Sequence, residues 1–176
     1  MAVYIALLRG VNVGGRREPM KDLKNCFESL GCADVRTYIQ SGNVVFEHSH
    51  ESTPALVRRV EGKISNAFGF QIQTILRTKE ALSEIVDAFP FSRAEEERTH
   101  VTFLASRSAR LSAGSLEAAR SKSEKLVISG REVYLYCPDG YGVTKLSNSF
   151  LEKQSGVPAT TRNWRTVLTL KKIALS

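Results

Sequence analysis

The stretch VYIALLR, Val3 to Arg9, carries apolar side chains on both of its alternating faces. That pattern predicts a central strand covered on both sides. Beyond a glycine-rich segment, Met20, Leu23, Phe27 and Leu30 recur at helical spacing, and Gly31 follows as a helix stop. DVRTYI and NVVFE then alternate as two strands joined across Gln40-Ser41-Gly42, which predicts a hairpin with Gly42 at positive φ. Thr53-Pro54 opens a second helix, since proline's missing N–H would be unpaired in a first turn anyway. Val57, Val60, Ile64 and Ala67 form its apolar stripe, Gly69 ends it, and FQIQTIL alternates as a strand. The order is βαββαβ, the ferredoxin-like order.

The second half repeats the pattern. THVTFLA alternates as a strand, LSAGSLEAAR gives a weak helix signal, and EKLVISGREVYLYC parallels RTYIQSGNVVFE. Aligning Ser41-Gly42 on Ser129-Gly130 sets Val45 opposite Val133 and Phe46 opposite Tyr134. After PDGYG, a helix is expected with Leu146 and Phe150 on one side, then an extended piece at Ala159–Thr161. Thr160 or Thr161 is the expected N-cap of a last helix containing Trp164, Val167 and Leu168, with Trp164 as a core anchor. A linking helix spans Lys79 to Ala88 and stops before Pro90. The expected class is therefore α+β: duplicated ferredoxin-like (βαββαβ) halves with a linking helix and an extra C-terminal helix. The first half covers 1–77, the linking helix and loop 78–98, and the second half 99–176.

Composition changes this picture little. Of 176 residues, 42% are hydrophobic and 24% charged, ordinary for a folded domain. No apolar run reaches the roughly 20 residues that a bilayer needs. The start MAVYIALLRG lacks a secretory signal's basic opening and cleavage site, so a cytoplasmic home is expected. Cys26, Cys32 and Cys137 are odd in number and form no C-x-x-C, which points to reduced, structural thiols. His48, His50 and His100 fall in or near loops, and the H-x-H pair has no cysteine to complete a metal set. The net charge of +7 suits an anionic partner without requiring one. AEEER, Ala94 to Arg98, reads as a solvated loop.

Chemistry concentrates in LRGVNVGGRREPM. Gly10 to Gly15 matches the first half of a P-loop, but Arg16-Arg17 stands where a lysine and a hydroxyl should follow. The glycine spacing also fails the dinucleotide fingerprint. General physics remains. Gly14 and Gly15 permit successive N–H groups to converge, and the helix behind them presents its positive end. Arg9, Arg16 and Arg17 could add bidentate hydrogen bonds to an oxyanion. The competing reading is a loop that needs glycine to turn and arginine to stay soluble. Gln40, Ser41 and Asn43 offer donors and acceptors beside that loop, or simply make a hairpin turn. In TTRNW, Arg162 and Asn163 are the candidates for a ligand contact. No G-x-S-x-G, no H-E-x-x-H and no cofactor fingerprint occurs.

YIALLRGVNVGG, MKDL, VRTYIQSGNVVF, YGVTKLSNSFLEK and ATTRNWRTVLTL together resemble a bacterial family known as domain of unknown function 1697. The resemblance implies a two-part α+β protein with ferredoxin-like halves, and it implies no activity. It marks Arg9, Gly10, Asn12, Gly14, Gly15, Gln40, Ser41, Gly42, Asn43, Thr161, Arg162, Asn163 and Trp164 as motif positions. Residues 91–125 carry no motif that matches.

Three functions stand open. The first is a site for a phosphate- or carboxylate-bearing small molecule at Arg9, Gly10, Asn12, Gly14, Gly15, Arg16, Gln40, Ser41, Asn43, Arg162 and Asn163. The second is a nucleic-acid module using a basic surface, although SGNVVFEHS lacks the aromatic strand of an RNA-recognition sheet. The third is a protein–protein or regulatory module. Cofactor, oligomeric state and enzymatic character are left open.

Overall fold

The computed structural model describes residues 1–10, 19–38, 42–49 and 52–176. Asn12, Gly14, Gly15, Arg16, Arg17, Gln40, Ser41 and His50 lie outside them. The fold is mixed α+β and divides into two compact units, Met1–Ser83 with Leu170–Ser176, and Glu84–Thr169. Each holds one four-stranded antiparallel sheet. Among the described residues no helix is long and apolar enough to cross a membrane.

In the first unit, β1 (Ala2–Arg9), α1 (Met20–Glu28), β2 (Ala33–Tyr38), β3 (Asn43–His48), α2 (Thr53–Phe68) and β4 (Gln73–Thr78) follow in that order. The sheet runs β2-β3-β1-β4. As the apolar run predicts, β1 is central, and Tyr4 through Leu8 are almost wholly buried. Tyr4, Ala6 and Leu8 join Val44, Phe46 and Leu76 on the face that α1 and α2 cover with Leu23, Phe27, Leu56, Val60 and Ile64. Ile5, Leu7, Val45, Ile75 and Arg77 occupy the other face and are buried too. Proline opens α2 and Gly69 closes it at φ +75°, as the turn chemistry requires. Asp34 holds φ +45° beside a register shift in β2, which marks a bulge.

In the second unit, β5 (Thr99–Leu104), α4 (Ala113–Glu117), β6 (Lys125–Ser129), β7 (Glu132–Tyr136), α5 (Asn148–Ser155) and β8 (Ala159–Asn163) form a sheet ordered β6-β7-β5-β8. Val133, Leu135 and Cys137 pack with Leu116, Leu146 and Leu151. Leu146 precedes α5 instead of lying on it. The acidic AEEER is no irregular loop: Arg93–Arg98 is a 3₁₀ turn closed by a Ser92/Glu95 capping box, and Glu95 pairs with Lys125 at 2.5 Å.

The strand alignment expected from the turn residues is displaced by one. Leu8 N–H donates to the Gly42 carbonyl, and Leu104 N–H donates to the Arg131 carbonyl, each at 2.8 Å. Those bonds, with the pairs Leu7↔Asn43 and Phe103↔Glu132, set Val44 and Phe46 opposite Val133 and Leu135. Tyr134 therefore takes Val45's face, not that of Phe46. The reason is turn length. Residues 39–42 connect β2 to β3, whereas Gly130 and Arg131 alone connect β6 to β7. Gly130, at φ +59°, fills the first place of that two-residue turn, where type II′ hairpins put glycine.

Two further helices follow the fourth strands: α3 (Lys79–Asp87) and α6 (Trp164–Leu175). Thr78 Oγ1 accepts from Ala81 N–H and Asn163 Oδ1 accepts from Thr166 N–H. The last strand residue thus caps the next helix in both units, so Asn163, not Thr160 or Thr161, is the N-cap of α6.

Candidate functional site

The described edge of the glycine–arginine loop is Arg9 and Gly10. Gly10 holds φ +87°, and a Cβ there would meet nothing within 4 Å. Its glycine therefore serves backbone conformation, not space. The bond from Leu8 to Gly42 and the pairs Leu7↔Asn43 and Arg9↔Gln73 bring the end of β1 and the starts of β3 and β4 together at one end of the sheet. Gly42 is at φ +81°, as the turn reading predicts. Asn43 is fully buried, and its Nδ2 donates to the Tyr38 carbonyl at 3.0 Å, closing the hairpin. Helix α1 begins just past the loop, with Pro19 before it and no side-chain cap. Asp22 sits in its first turn, where an acid complements the helix dipole.

The corresponding loop of the second unit, Ala105–Ser112, has structural work. Ala105 N–H donates to the Pro158 carbonyl, and Ser108 Oγ donates to the Ser155 carbonyl in a very short bond. The Arg110 guanidinium lies against Gly156, the left-handed residue just past α5. A cation there complements the carbonyl end of that helix. Farther on, Arg120 donates to the Glu124 carbonyl and the Glu124 carboxylate accepts from Ser121 N–H. The motif-free middle of the chain is thus held by local hydrogen bonds.

Arg162 and Asn163 lie on β8, in the second unit, and both have structural duties. Arg162 Nη1 donates to Thr160 Oγ1 at 2.7 Å and to the Thr161 carbonyl at 3.0 Å. Burial lowers the Arg162 pKa to about 10, so it stays a cation at neutral pH. Trp164 is a core residue as expected, its ring tilted against that of Phe89 with centroids 4.4 Å apart.

Sequence reasoning missed a neutral polar cluster on the helical face of the second sheet. Thr161 Oγ1 donates to Asn148 Oδ1 at 2.9 Å, which leaves the Thr102 hydroxyl, 2.8 Å away, to donate to Thr161. Asn148 Nδ2 donates in turn to the Ala159 carbonyl. The Tyr141 ring stacks on His100 with centroids 4.5 Å apart. The Tyr141 hydroxyl is buried beside Thr161 and the Asn148 backbone without a well-directed hydrogen bond to either. His100 Nδ1 is buried without a partner as well. Tyr141, Asn148 and Thr161 stand in the motif stretches quoted above, but uncharged side chains gave no signal of convergence.

His48 ends β3 and His100 is the second residue of β5, each on a strand next to a loop. Among the described residues no group of three or more His, Cys, Asp or Glu converges as a metal set would. Cys26, Cys32 and Cys137 are buried and form no disulfide. Burial, with Glu124 adding, pushes Cys137 up to about 11, which suits an inert structural thiol.

Burial also lowers the His100 pKa below its ordinary 6.5. The unfolded chain therefore binds the additional proton first, and stability held above about pH 6.5 is lost as pH falls. Urea midpoints should decline from about pH 7 to about pH 5 more steeply in the wild type than in His100→Gln. Parallel declines would assign the acid sensitivity to another group.

A solved structure of a conserved bacterial protein from Streptococcus pneumoniae is similar to this chain, with 24% identity, 98% of each chain covered and a TM-score of 0.75. That likeness concerns the fold. No curated protein matches the chain. A family described as "Protein of unknown function (DUF1697)" matches residues 1–134, and the chain belongs to that family.

Proposed function

We propose that the protein binds an anionic small molecule, bearing phosphate or carboxylate, at the loop after β1. The observation that carries this reading is the meeting of the β1 end with the β2–β3 hairpin through Leu8 and Gly42. It supports a site built from Arg9, Gly10, Asn12, Gly14, Gly15 and Arg16, with Gln40, Ser41 and Asn43 alongside. The start of α1, with Pro19 at the cap position, adds a helix end at which anions are favoured. Arg162 and Asn163 have structural partners, so the proposal does not depend on them.

The same reading includes the chain's origin: two ferredoxin-like repeats, each extended by one helix. The matched strand orders support it, as does the capping of α3 and α6 from the last residues of β4 and β8. On this view the linking and C-terminal helices are counterparts, not additions. A cytoplasmic location belongs to the same proposal.

The test is a thermal-shift screen of nucleotides, sugar phosphates, carboxylates and sulfate on the wild type, Gly15→Ala and Arg16→Ala. A ligand that binds only the folded state raises the melting temperature by mass action. Arg16→Ala should weaken binding by about 1.5–3 kcal/mol, the cost of losing a charged hydrogen bond, or roughly tenfold to a hundredfold. Gly15→Ala should weaken it by placing a methyl group where backbone approaches ligand. Unliganded melting temperatures of both variants separate that effect from loop strain. Equal shifts in all three proteins, or none at all, would show that the loop is only a turn. A preference for RNA that persists at high salt would favour the nucleic-acid class instead.

A further inference from the structure

Helices α1 and α2 pack against each other over the first sheet, and their outer sides leave a groove of about 510 Å³. Asp22, Asn25 and Cys26 line it from α1, and Lys63, Ala67 and Phe68 from α2. Helical spacing explains the arrangement: residues 22, 25 and 26 share one side of α1, as residues 63 and 67 share one side of α2. The buried Cys26 and the half-buried Phe68, whose ring stacks on Phe70, give the groove an apolar floor, and the exposed Ala67 lies at its side. The volume falls in the range of small-molecule sites, roughly 300–1,000 Å³.

Among the described residues, one charge of each sign lines the groove, Asp22 and Lys63. Among the described residues, Asp22 and Lys63 form no ion pair with each other or with any neighbour. Asp22 and Lys63 line the groove together with Cys26; burial raises the Cys26 pKa, Lys63 opposing that rise and Asp22 adding to it. A lone anion would be drawn by Lys63 and repelled by Asp22, and a lone cation the reverse. A molecule bearing both signs satisfies both ends.

We propose that the α1–α2 groove binds a small zwitterion with an apolar body, an amino acid or short peptide. Its ammonium faces Asp22, its carboxylate faces Lys63 and Asn25, and its side chain covers Ala67 and Phe68. The site is separate from the glycine–arginine loop and stands whether or not that loop binds an anion.

The test uses the full chain and three probes: L-phenylalanine, N-acetyl-L-phenylalanine without the ammonium, and L-phenylalaninamide without the carboxylate. Affinity is read by calorimetry, and occupancy by the rate of Cys26 alkylation measured on its own peptide by mass spectrometry. L-Phenylalanine should slow alkylation of Cys26, and each blocked analogue should bind about tenfold more weakly or worse. Asp22→Asn should abolish the preference for a free amine, and Lys63→Met the preference for a free carboxylate. Unliganded melting temperatures show that both variants fold. Equal affinity for the three probes, equal binding by an Asp22→Asn/Lys63→Met double variant, or no protection of Cys26 at millimolar L-phenylalanine would each overturn the proposal.

Discussion

Replacing Trp164 with alanine should lower stability by about 3–5 kcal/mol, the range for removing a large aromatic from a packed core. Trp164 is 2% exposed and opens α6 directly after its cap, Asn163. Its ring lies 4.4 Å from Phe89 and 6.4 Å from Tyr134, so one deletion strips contact from both. The Tyr134 hydroxyl donates to the Ile85 carbonyl at 2.7 Å, and burial raises its pKa to about 12. Loss of the indole would thus open a space beside a buried, directional hydrogen bond. Trp164→Phe should cost far less. The indole Nε1 is buried without a hydrogen-bond partner, so phenylalanine removes an unsatisfied donor while losing part of the ring area. An unsatisfied buried donor costs about 1–3 kcal/mol, which offsets much of that loss. Trp164 is the chain's one tryptophan, so unfolding is followed by circular dichroism, not fluorescence. A Trp164→Phe cost as large as that of Trp164→Ala would show that the indole nitrogen has a partner after all.

What could be read from the chain divides along physical lines. Periodicity reports burial, and it located β1, α1 and α2 to within a residue or two of their observed bounds. Turn chemistry reports backbone angles and stops, and it placed Gly42 at positive φ and the end of α2 at Gly69. Neither reports the number of residues between paired strands. Aligning Ser41-Gly42 with Ser129-Gly130 therefore slipped the strands by one, and a one-residue slip exchanges the faces of every side chain. Side chains able to cap a helix were also indistinguishable in TTRN. Three of the four can cap, and geometry alone selects Asn163 because it directly precedes α6. The Thr102, Asn148, Thr161 and Tyr141 cluster was hidden for another reason. Neutral hydrogen-bonding residues carry no charge pattern, and these four are up to 59 positions apart. The loop chemistry stood out because glycine and arginine are distinctive in composition, which is a weaker warrant than convergence.

The corrected register makes its own prediction. Phe46→Ala should destabilise by about 3–5 kcal/mol, because Phe46 faces the helices and not the opposite side of the sheet. Its ring stacks on Tyr4 at 5.7 Å and meets Phe27 at 5.0 Å, so it joins β1, β3 and α1 at one point. Such aromatic pairs add about 0.5–1.5 kcal/mol beyond area burial. Leu135 holds the corresponding place in the second unit, packed with Val133, Cys137 and Leu151. Leu135→Ala should cost about 2–5 kcal/mol. Tyr134→Phe, at the position first matched to Phe46, deletes no core volume and should cost only about 1–3 kcal/mol, from the Ile85 carbonyl left unpaired. Chemical denaturation of the three variants, followed by circular dichroism, checks the order. A Leu135→Ala cost below about 2 kcal/mol would contradict the register, since Leu135 would then stand outside the packed core.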